Sequence, residues 1–545
     1  MRGGLSAIVA LTASAALVIV SYPAVDLGWA AWIALVPWFS WLVGRGRKAA
    51  FLGSFVLFLV TSLCLLSWLA MLTPPGLGAL VVYLGLFGGA LGVLSRRMLA
   101  SDTLLARLGV ASLFAGVEWL RSVLFSGFPW LLVGHTQHDA LPVAQIADLG
   151  GVYAITFVVV FVNASFLGVW NGLRGEEPQR RGSRILRAAG PAALLIVAVL
   201  GYGFFRMAAP PDTEGPRVAG IQANIPVALK HDAMSSREVL DRHVVLSERA
   251  VRESDPDLVI WAETMFPAPW NEASPGELEA VQGLIRELVT ERMGGTPFLV
   301  GITAIGEGSD DDPQSPDYRQ WNRAILFGGA GDVAGMYDKA HLVPGGEYFP
   351  MRSIIPFRRQ LEKAFYELAG WYPTMLRGER SPRLELTTEQ DSEPIPFGVM
   401  ICYDSVFPDI ARRATREGAR FLVNLSNDGW YRRSAELDQI LAITRFRAIE
   451  CRRPICRVTN TGISAMIDSR GRILQEVTAV GADGVVDNRE VEGVLTGSVG
   501  ISESGSPYSQ VGDGFAVLAL ALGSVLVLRS RRGEAAGGRE EPTAG

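Results

Sequence analysis

Pro396-Phe397-Gly398-Val399-Met400-Ile401-Cys402-Tyr403-Asp404-Ser405-Val406-Phe407-Pro408 is the stretch from which the rest of the chain is read. Residues 397–401 are apolar with one glycine among them, which predicts a short buried strand. A cysteine stands where that strand stops, and Pro408 predicts a helix starting just beyond. Such a turn suits a nucleophile, because the sulfur projects from a rigid sheet and the following amides face an incoming carbonyl. An inert core thiol has the same local look. The assignment therefore depends on what accompanies Cys402 elsewhere.

The chain has 545 residues, more than one ordinary domain holds. Charged residues make up 19%, hydrophobic ones 49%, and the mean hydropathy is +0.25, which predicts a membrane protein with a sizeable water-soluble part. The net charge is −5 and no basic patch is interleaved with aromatics, so no nucleic-acid partner is expected. Cys64, Cys402, Cys451 and Cys456 are too few for a disulfide framework, and their spacing fits no zinc pattern. With five histidines and no paired His/Cys signature, neither a metal nor a cofactor is expected.

Apolar runs near the ~20 residues that cross a bilayer fill the first two hundred positions, at 5–22, 25–43, 50–71, 77–95, 103–124, 151–171 and 187–206, with an eighth at 513–528. The expected organisation is a membrane domain of seven helices over 1–206, a domain over 207–512, an eighth helix over 513–528 and a disordered tail over 529–545. The first run lacks a convincing small-residue cleavage site and reads as an anchor rather than a signal peptide. Arg2, then Arg45, Arg47 and Lys48, then Arg96 and Arg97, then Arg174, Arg180, Arg181 and Arg184, and finally Arg529, Arg531 and Arg532 fall on alternate connections. The connections between them, at 21–26, 73–76 and 125–150, carry no Lys or Arg. This bias puts both termini in the cytoplasm and 207–512 outside, in the periplasm of a two-membrane bacterium. Glu118 and Arg121, three apart in an apolar helix, share a face and can pair, as a structural ion pair or toward lipid headgroups. The uncharged segment 125–150 beyond them reads as re-entrant or lying in the interface.

Segment 207–512 alternates strand-like runs at 218–222, 258–262, 298–303, 324–327, 397–401, 421–425 and 455–459 with helical stretches such as 275–292 and 435–450. That pattern means α/β. Gly-containing turns at 328–332 and 468–472 read as hairpins, so a mixed sheet is expected, with linkers at 208–215 and 502–512. Three strand ends carry reactive side chains: Glu263 after Leu258-Val259-Ile260-Trp261-Ala262, Lys339 after Gly335-Met336-Tyr337-Asp338, and Cys402. A thiol with an ordinary pKa near ~8.5 is mostly protonated at neutral pH. Glu263 can take its proton, while a lysine ammonium and the Tyr403 amide stabilise the charge that develops on a substrate oxygen.

In that order and with those flanks, Glu263, Lys339 and Cys402 resemble the nitrilase, or carbon–nitrogen hydrolase, superfamily. Over the whole chain the resemblance narrows to the bacterial apolipoprotein N-acyltransferase family. It rests on Glu118-Trp119-Leu120-Arg121 with Gly127-Phe128-Pro129-Trp130, Gln222-Ala223-Asn224-Ile225-Pro226, Trp261-Ala262-Glu263-Thr264, Lys339-Ala340-His341-Leu342-Val343-Pro344 with Gly346-Glu347-Tyr348, Cys402-Tyr403, and Ser426-Asn427-Asp428-Gly429-Trp430. The resemblance implies a multi-span helical membrane bundle plus an α/β nitrilase-like domain, an α-β-β-α sandwich with mixed sheets. It implies that Cys402 takes an acyl chain from a membrane phospholipid as a thioester and passes it to the α-amino group of the diacylglyceryl-cysteine of an apolipoprotein. It also implies a multi-pass monomer of the bacterial inner membrane. Glu347 would orient or polarise Lys339, and Asn322 matches a position near the site. Asp404 stands where many relatives carry Glu, and His231 where Trp is common, so neither is given a role.

Aromatic stretches around Tyr348-Phe349, Phe357, Phe365-Tyr366 and Trp371-Tyr372, mixed with Arg352, Arg358 and Arg359, read as an arm dipping into the lipid interface or packing on membrane helices. Trp430 and Tyr431 read as a smaller lid. Cys451 and Cys456 are expected as buried thiols, with a disulfide allowed outside the cytoplasm. Two other functions fit the residues: a membrane-tethered amidase hydrolysing a small amide or nitrile, and an inactive scaffold that binds lipoproteins. A small soluble substrate gives no reason for eight spans, and the reactive positions are all filled.

Overall fold

The computed structural model describes residues 2–174, 178–226, 236–310, 312, 315, 318–349, 357–369, 372–388, 393–481 and 484–537. His231, Arg352, Trp371 and residues 538–545 of the tail lie outside these. The chain divides into two compact units, Met1–Ala209 with Val511–Gly545, and Pro210–Gln510.

Among its described residues the first unit holds helices and no strand. Arg47–Leu65, Pro74–Ser101, Val152–Arg174 and Gln179–Met207 are long and apolar enough to cross a membrane, and Ser6–Ser21, Gly28–Leu42 and Gly514–Ser530 are shorter apolar helices. The run expected at 25–43 is broken into a 3-10 turn Gly28–Ala30 and short helices Ala31–Ala34 and Val36–Leu42. Pro37 has no N–H to give and seats the new first turn. Helix Leu104–Val123 carries Glu118 and Arg121, which reach the segment beyond it. Glu118 accepts from the Val133 amide at 2.8 Å and the Thr156 hydroxyl at 2.7 Å, and Arg121 donates to the Leu131 carbonyl at 3.2 Å. Glu118 and Arg121 interact electrostatically as their spacing predicts, and both also anchor residues 131–133, which satisfies backbone groups that apolar surroundings leave dry. Segment 125–150 is not loop throughout but holds the short helices Val133–Gln137, Leu141–Ala144 and Ala147–Gly150. The last helix runs Gly514–Gly537, past the expected stop at 528.

Among the described residues the second unit contains a seven-stranded sheet, a six-stranded sheet and a small hairpin of β13 (Ala479–Val480) and β14 (Val486–Asp487). The first ladder joins β1 (Thr213–Gln222), β2 (Leu258–Trp261), β4 (Phe298–Ile305), β5 (Gln320–Phe327), β6 (Val333–Asp338) and β15 (Gly493–Ile501) in the order β15-β1-β2-β4-β5-β6, with β3 (Trp270–Asn271) on β4. The second joins β7 (Arg383–Leu386), β8 (Ile395–Ile401), β9 (Phe421–Ser426), β10 (Ile455–Thr459), β11 (Ala465–Ile467) and β12 (Ile473–Glu476) in the order β12-β11-β10-β9-β8-β7. Each ladder has a parallel centre, β1-β2-β4 and β8-β9-β10, and antiparallel strands on its flanks. Parallel neighbours need crossovers, here including helices Ser236–Ser254, Pro275–Glu287, Pro408–Arg416 and Glu436–Cys451. Buried apolar side chains of both ladders form one core. At Gly220 in β1 a Cβ would stand 2.6 Å from the Val458 methyl of β10, so that glycine lets the two sheets close face to face. The result is the nitrilase-type sandwich with mixed sheets.

The hairpins at 328–332 and 468–472 join β5 to β6 and β11 to β12. Two segments read as linkers are ordered: β1 starts at Thr213, and a short helix spans Pro507–Val511. β15, a run of small residues without strong periodicity, forms its strand by pairing with β1 along the length of both. Cys451 and Cys456 are free buried thiols.

Candidate active site

Three parallel or edge strands end at one place in the second unit. β2 delivers Glu263 two residues past its end, and Gly301 on β4 makes room for it, since a Cβ there would lie 2.7 Å from the Glu263 Cα. β6 delivers Lys339, whose amide continues the ladder by donating to the Asn322 carbonyl at 2.8 Å. β8 delivers Cys402. The cysteine has φ +47°, a left-handed conformation that costs a non-glycine residue energy and marks a turn held by its surroundings.

Asp404 holds that turn. It accepts from the Ile401 amide at 3.0 Å, the Tyr337 hydroxyl at 2.9 Å and the His341 amide at 2.7 Å, so one buried carboxylate ties the cysteine turn to the lysine strand. Burial pushes the Asp404 carboxyl up, while His341 and these amides pull it down. The stacked His341–Phe407 rings, 3.9 Å apart, reinforce the joint.

Lys339 is 1% exposed and gives its ammonium to Glu263 Oε1 at 3.0 Å and Glu347 Oε1 at 2.9 Å. Asn322 donates to the same two carboxylates, at 2.7 and 3.3 Å. The second oxygen of Glu263 takes the Asn427 amide at 3.0 Å, and that of Glu347 takes the Val343 amide at 2.8 Å. Burial opposes charge on Lys339, but the two carboxylates outweigh it and hold the ammonium well above the usual lysine range. Burial, and next the Glu263 charge, push the Cys402 thiol well above its ordinary value against the pull of Lys339. Both favour the neutral form of the sulfur. Tyr403 follows in the 3-10 turn Cys402–Val406, where the first N–H groups of a helical turn have no intrahelical partner. Its ring packs edge-on against Phe407, 5.1 Å between centroids.

Glu263, Lys339, Cys402, Glu347, Asn322 and Tyr403 are thus brought together. The entrance residues divide. Burial, and next the neighbouring Tyr348, push the Tyr403 hydroxyl up. Burial, then Glu436 and Cys402, do the same to Tyr431, so both tyrosines lie within electrostatic reach of the site. Trp430 is half-buried beside Tyr431, and Phe349 half-buried beside Tyr348. Phe357 is 76% exposed at the head of helix Arg358–Ala369, where Tyr366 stacks on Tyr372 at 4.5 Å. The motif Ser426-Asn427-Asp428 was legible as a family signature, but sequence reasoning gave none of its three residues a place in the site. Among the described residues, Asp26, His138 and Asp139 of the first unit are close enough to share a metal ion. His138 already bonds Asp26 through Nε2 at 2.8 Å and stands 3.4 Å from Asp139 through Nδ1, which accounts for the cluster without one.

The two mixed sheets of the second unit fall in residues 217–487, which match the family model described as carbon–nitrogen hydrolase. Residues 14–165 match the model of the apolipoprotein N-acyltransferase N-terminal domain. An apolipoprotein N-acyltransferase of Geobacter metallireducens is 32% identical over 517 residues, covering 92% of this chain and 91% of its own. One of Caulobacter vibrioides is 30% identical over 518 residues, covering 93% and 86%. The chain belongs to the apolipoprotein N-acyltransferase family. Among solved structures, Saccharomyces cerevisiae Nit3, a member of branch 10 of the nitrilase superfamily, is 20% identical, with a TM-score of 0.36 over 54% of this chain and 93% of that one.

Proposed function

We propose that this protein N-acylates apolipoproteins in two steps at Cys402. In the first, Glu263 takes the thiol proton as the sulfur attacks an ester carbonyl of a membrane phospholipid. Lys339 and the Tyr403 amide receive the oxyanion. The intermediate collapses to a thioester, and the departing glycerol oxygen takes the proton from Glu263 as a lysophospholipid leaves. In the second, Glu263 takes a proton from the α-amino group of the diacylglyceryl-cysteine as its nitrogen attacks the thioester. The amide forms, and the sulfur leaves and recovers that proton. Glu347 and Asn322 fix Lys339 and Glu263 so that neither swings on acylation. The match to curated N-acyltransferases across both the helical unit and the catalytic unit carries this reading, because the hydrolase model covers the second unit alone.

The distribution of Lys and Arg supports an inner-membrane protein with both termini in the cytoplasm and the catalytic unit in the periplasm. A site facing lipid would keep water from the thioester, which disfavours the small-amide hydrolase. Incubation with phospholipid labelled in one acyl chain tests the proposal. Label trapped on the Cys402 peptide and then passed to a diacylglyceryl lipopeptide is expected. Release of the label as free fatty acid, or transfer that survives Cys402→Ser, would overturn it.

A further inference from the structure

β8 and β9 run parallel with Ile401 opposite Leu425, so the next residues, Cys402 and Ser426, stand side by side at the strand ends. The Ser426 hydroxyl lies close enough to the Cys402 sulfur that donation to it favours the thiolate. Ser426 is fully buried and donates its hydroxyl proton to Asp428 Oδ1 at 2.6 Å. Asp428, 1% exposed, is gripped through Oδ2 by Arg457 Nη2 at 2.6 Å, and Arg457, fully buried, also bonds Asn424. A Cβ at Gly462 would lie 2.5 Å from Asp428 Oδ2, so the backbone opposite is cut away to admit the carboxylate. Between Ser426 and Asp428, the Asn427 amide holds Glu263 at 3.0 Å. One three-residue turn therefore touches the nucleophile, its base and a fixed ion pair.

A hydroxyl has one proton. While Asp428 takes it, Ser426 turns a lone pair toward the sulfur and suits a thiol. A sulfur anion needs a donor instead. We propose that Ser426 is a catalytic residue that donates to the Cys402 thiolate as it forms, and that Asp428, anchored by Arg457, is the positioning residue that holds the hydroxyl proton until then. No proton is transferred in this movement: the O–H bond rotates from Asp428 Oδ1 to Cys402 Sγ, and Asp428 keeps its bond to Arg457. The same donor meets the sulfur again when the amine expels it from the thioester. The inference rests on Cys402 being the nucleophile of the proposed reaction.

The charged and titratable groups facing this pair are Glu263 after β2, Lys339 after β6, Tyr403 and Tyr431, Arg457 on β10, and Glu436 on helix Glu436–Cys451. All remain in the variants, so they are common to every arm of the test. The reading is the rate of Cys402 alkylation by iodoacetamide against pH, followed by mass spectrometry of its peptide in the full chain in detergent. Ser426→Ala is expected to slow alkylation about tenfold at a fixed pH below the thiol's titration, the size of one charge-assisted hydrogen bond. Asp428→Asn is expected to speed it by freeing the hydroxyl, and to lose most of that effect in the Ser426→Ala background. An unmoved profile in Ser426→Ala would overturn the proposal. So would an Asp428→Asn effect of equal size in both backgrounds, which is a charge effect alone. If Ser426→Ala does not fold, Ser426→Cys replaces it, since a weaker donor predicts a smaller shift of the same sign. Alkylation needs no lipid. Failure of acyl trapping in the wild-type protein is therefore read separately from failure of this inference.

Discussion

Strands β5 and β6 carry two buried charge clusters on opposite faces, because neighbouring residues of a strand point to opposite sides. On one face Arg323 grips Asp338 at 2.6 and 3.3 Å and Glu272 at 2.6 Å, and Arg380 adds a contact to Asp338 at 2.9 Å. On the other, one residue along each strand, Asn322 and Lys339 meet Glu263 and Glu347. The first cluster balances two cations with two carboxylates. The second sets one cation against two. Burying charge costs free energy unless it is paired, so a balanced cluster is a joint. An unbalanced one leaves net negative charge that a proton relieves, and in the proposed reaction the Cys402 thiol supplies that proton. The difference of one cation separates a brace from a base.

The largest effect should come from removing the proton source. Cys402→Ala is expected to lower acyl transfer by about 10⁴-fold or more, measured as label delivered to the lipopeptide, with thermal unfolding unchanged. Next, Glu263→Gln turns the second cluster into a balanced pair of Lys339 and Glu347. Transfer should fall by roughly 10²- to 10⁴-fold, while the unfolding temperature holds or rises. A marked loss of stability in this variant would break the comparison, because the spare charge would then be part of the brace. Arg323→Met makes the reverse test. Among the described residues it leaves Asp338 with only the half-exposed Arg380 and Glu272 with only Trp270, so stability should drop by about 1.5–3 kcal/mol in urea unfolding of the full chain, while kcat/KM of the folded fraction changes little.

Much of this was legible in the chain. The strands leading to Glu263 and Cys402 are short, apolar and buried on both faces, and such runs announce themselves. β15 did not, because its Gly493–Ile501 run gains its structure from pairing with β1, at the opposite end of the same unit in sequence, and strand formation follows such partners more than local preference. Asp404 was visible but its work was not, since its partners Tyr337 and His341 lie on a distant strand and turn. Glu118 and Arg121 suggested each other by spacing and do couple, but the backbone of residues 131–133 that they also hold could not be read from spacing. Spacing shows which groups can meet, and only packing decides which do.

His243 shows a third way to bury a titratable group: with no countercharge, it gives up its own. Its ring lies 4.7 Å from Trp261, two residues before Glu263, with Nδ1 on the Val239 carbonyl at 2.8 Å and Nε2 without a hydrogen-bond partner. Burial pushes its pKa down from 6.5 to about 4. Between those values the unfolded chain binds a proton that the folded one refuses, so stability is complete above about pH 6.5 and is lost as pH falls through about 4. The full loss is on the order of 3 kcal/mol. His243→Leu should therefore flatten the unfolding temperature against pH over that window relative to wild type, whatever its effect at pH 8. Equal slopes for the two proteins would mean that the ring takes up its proton inside the fold.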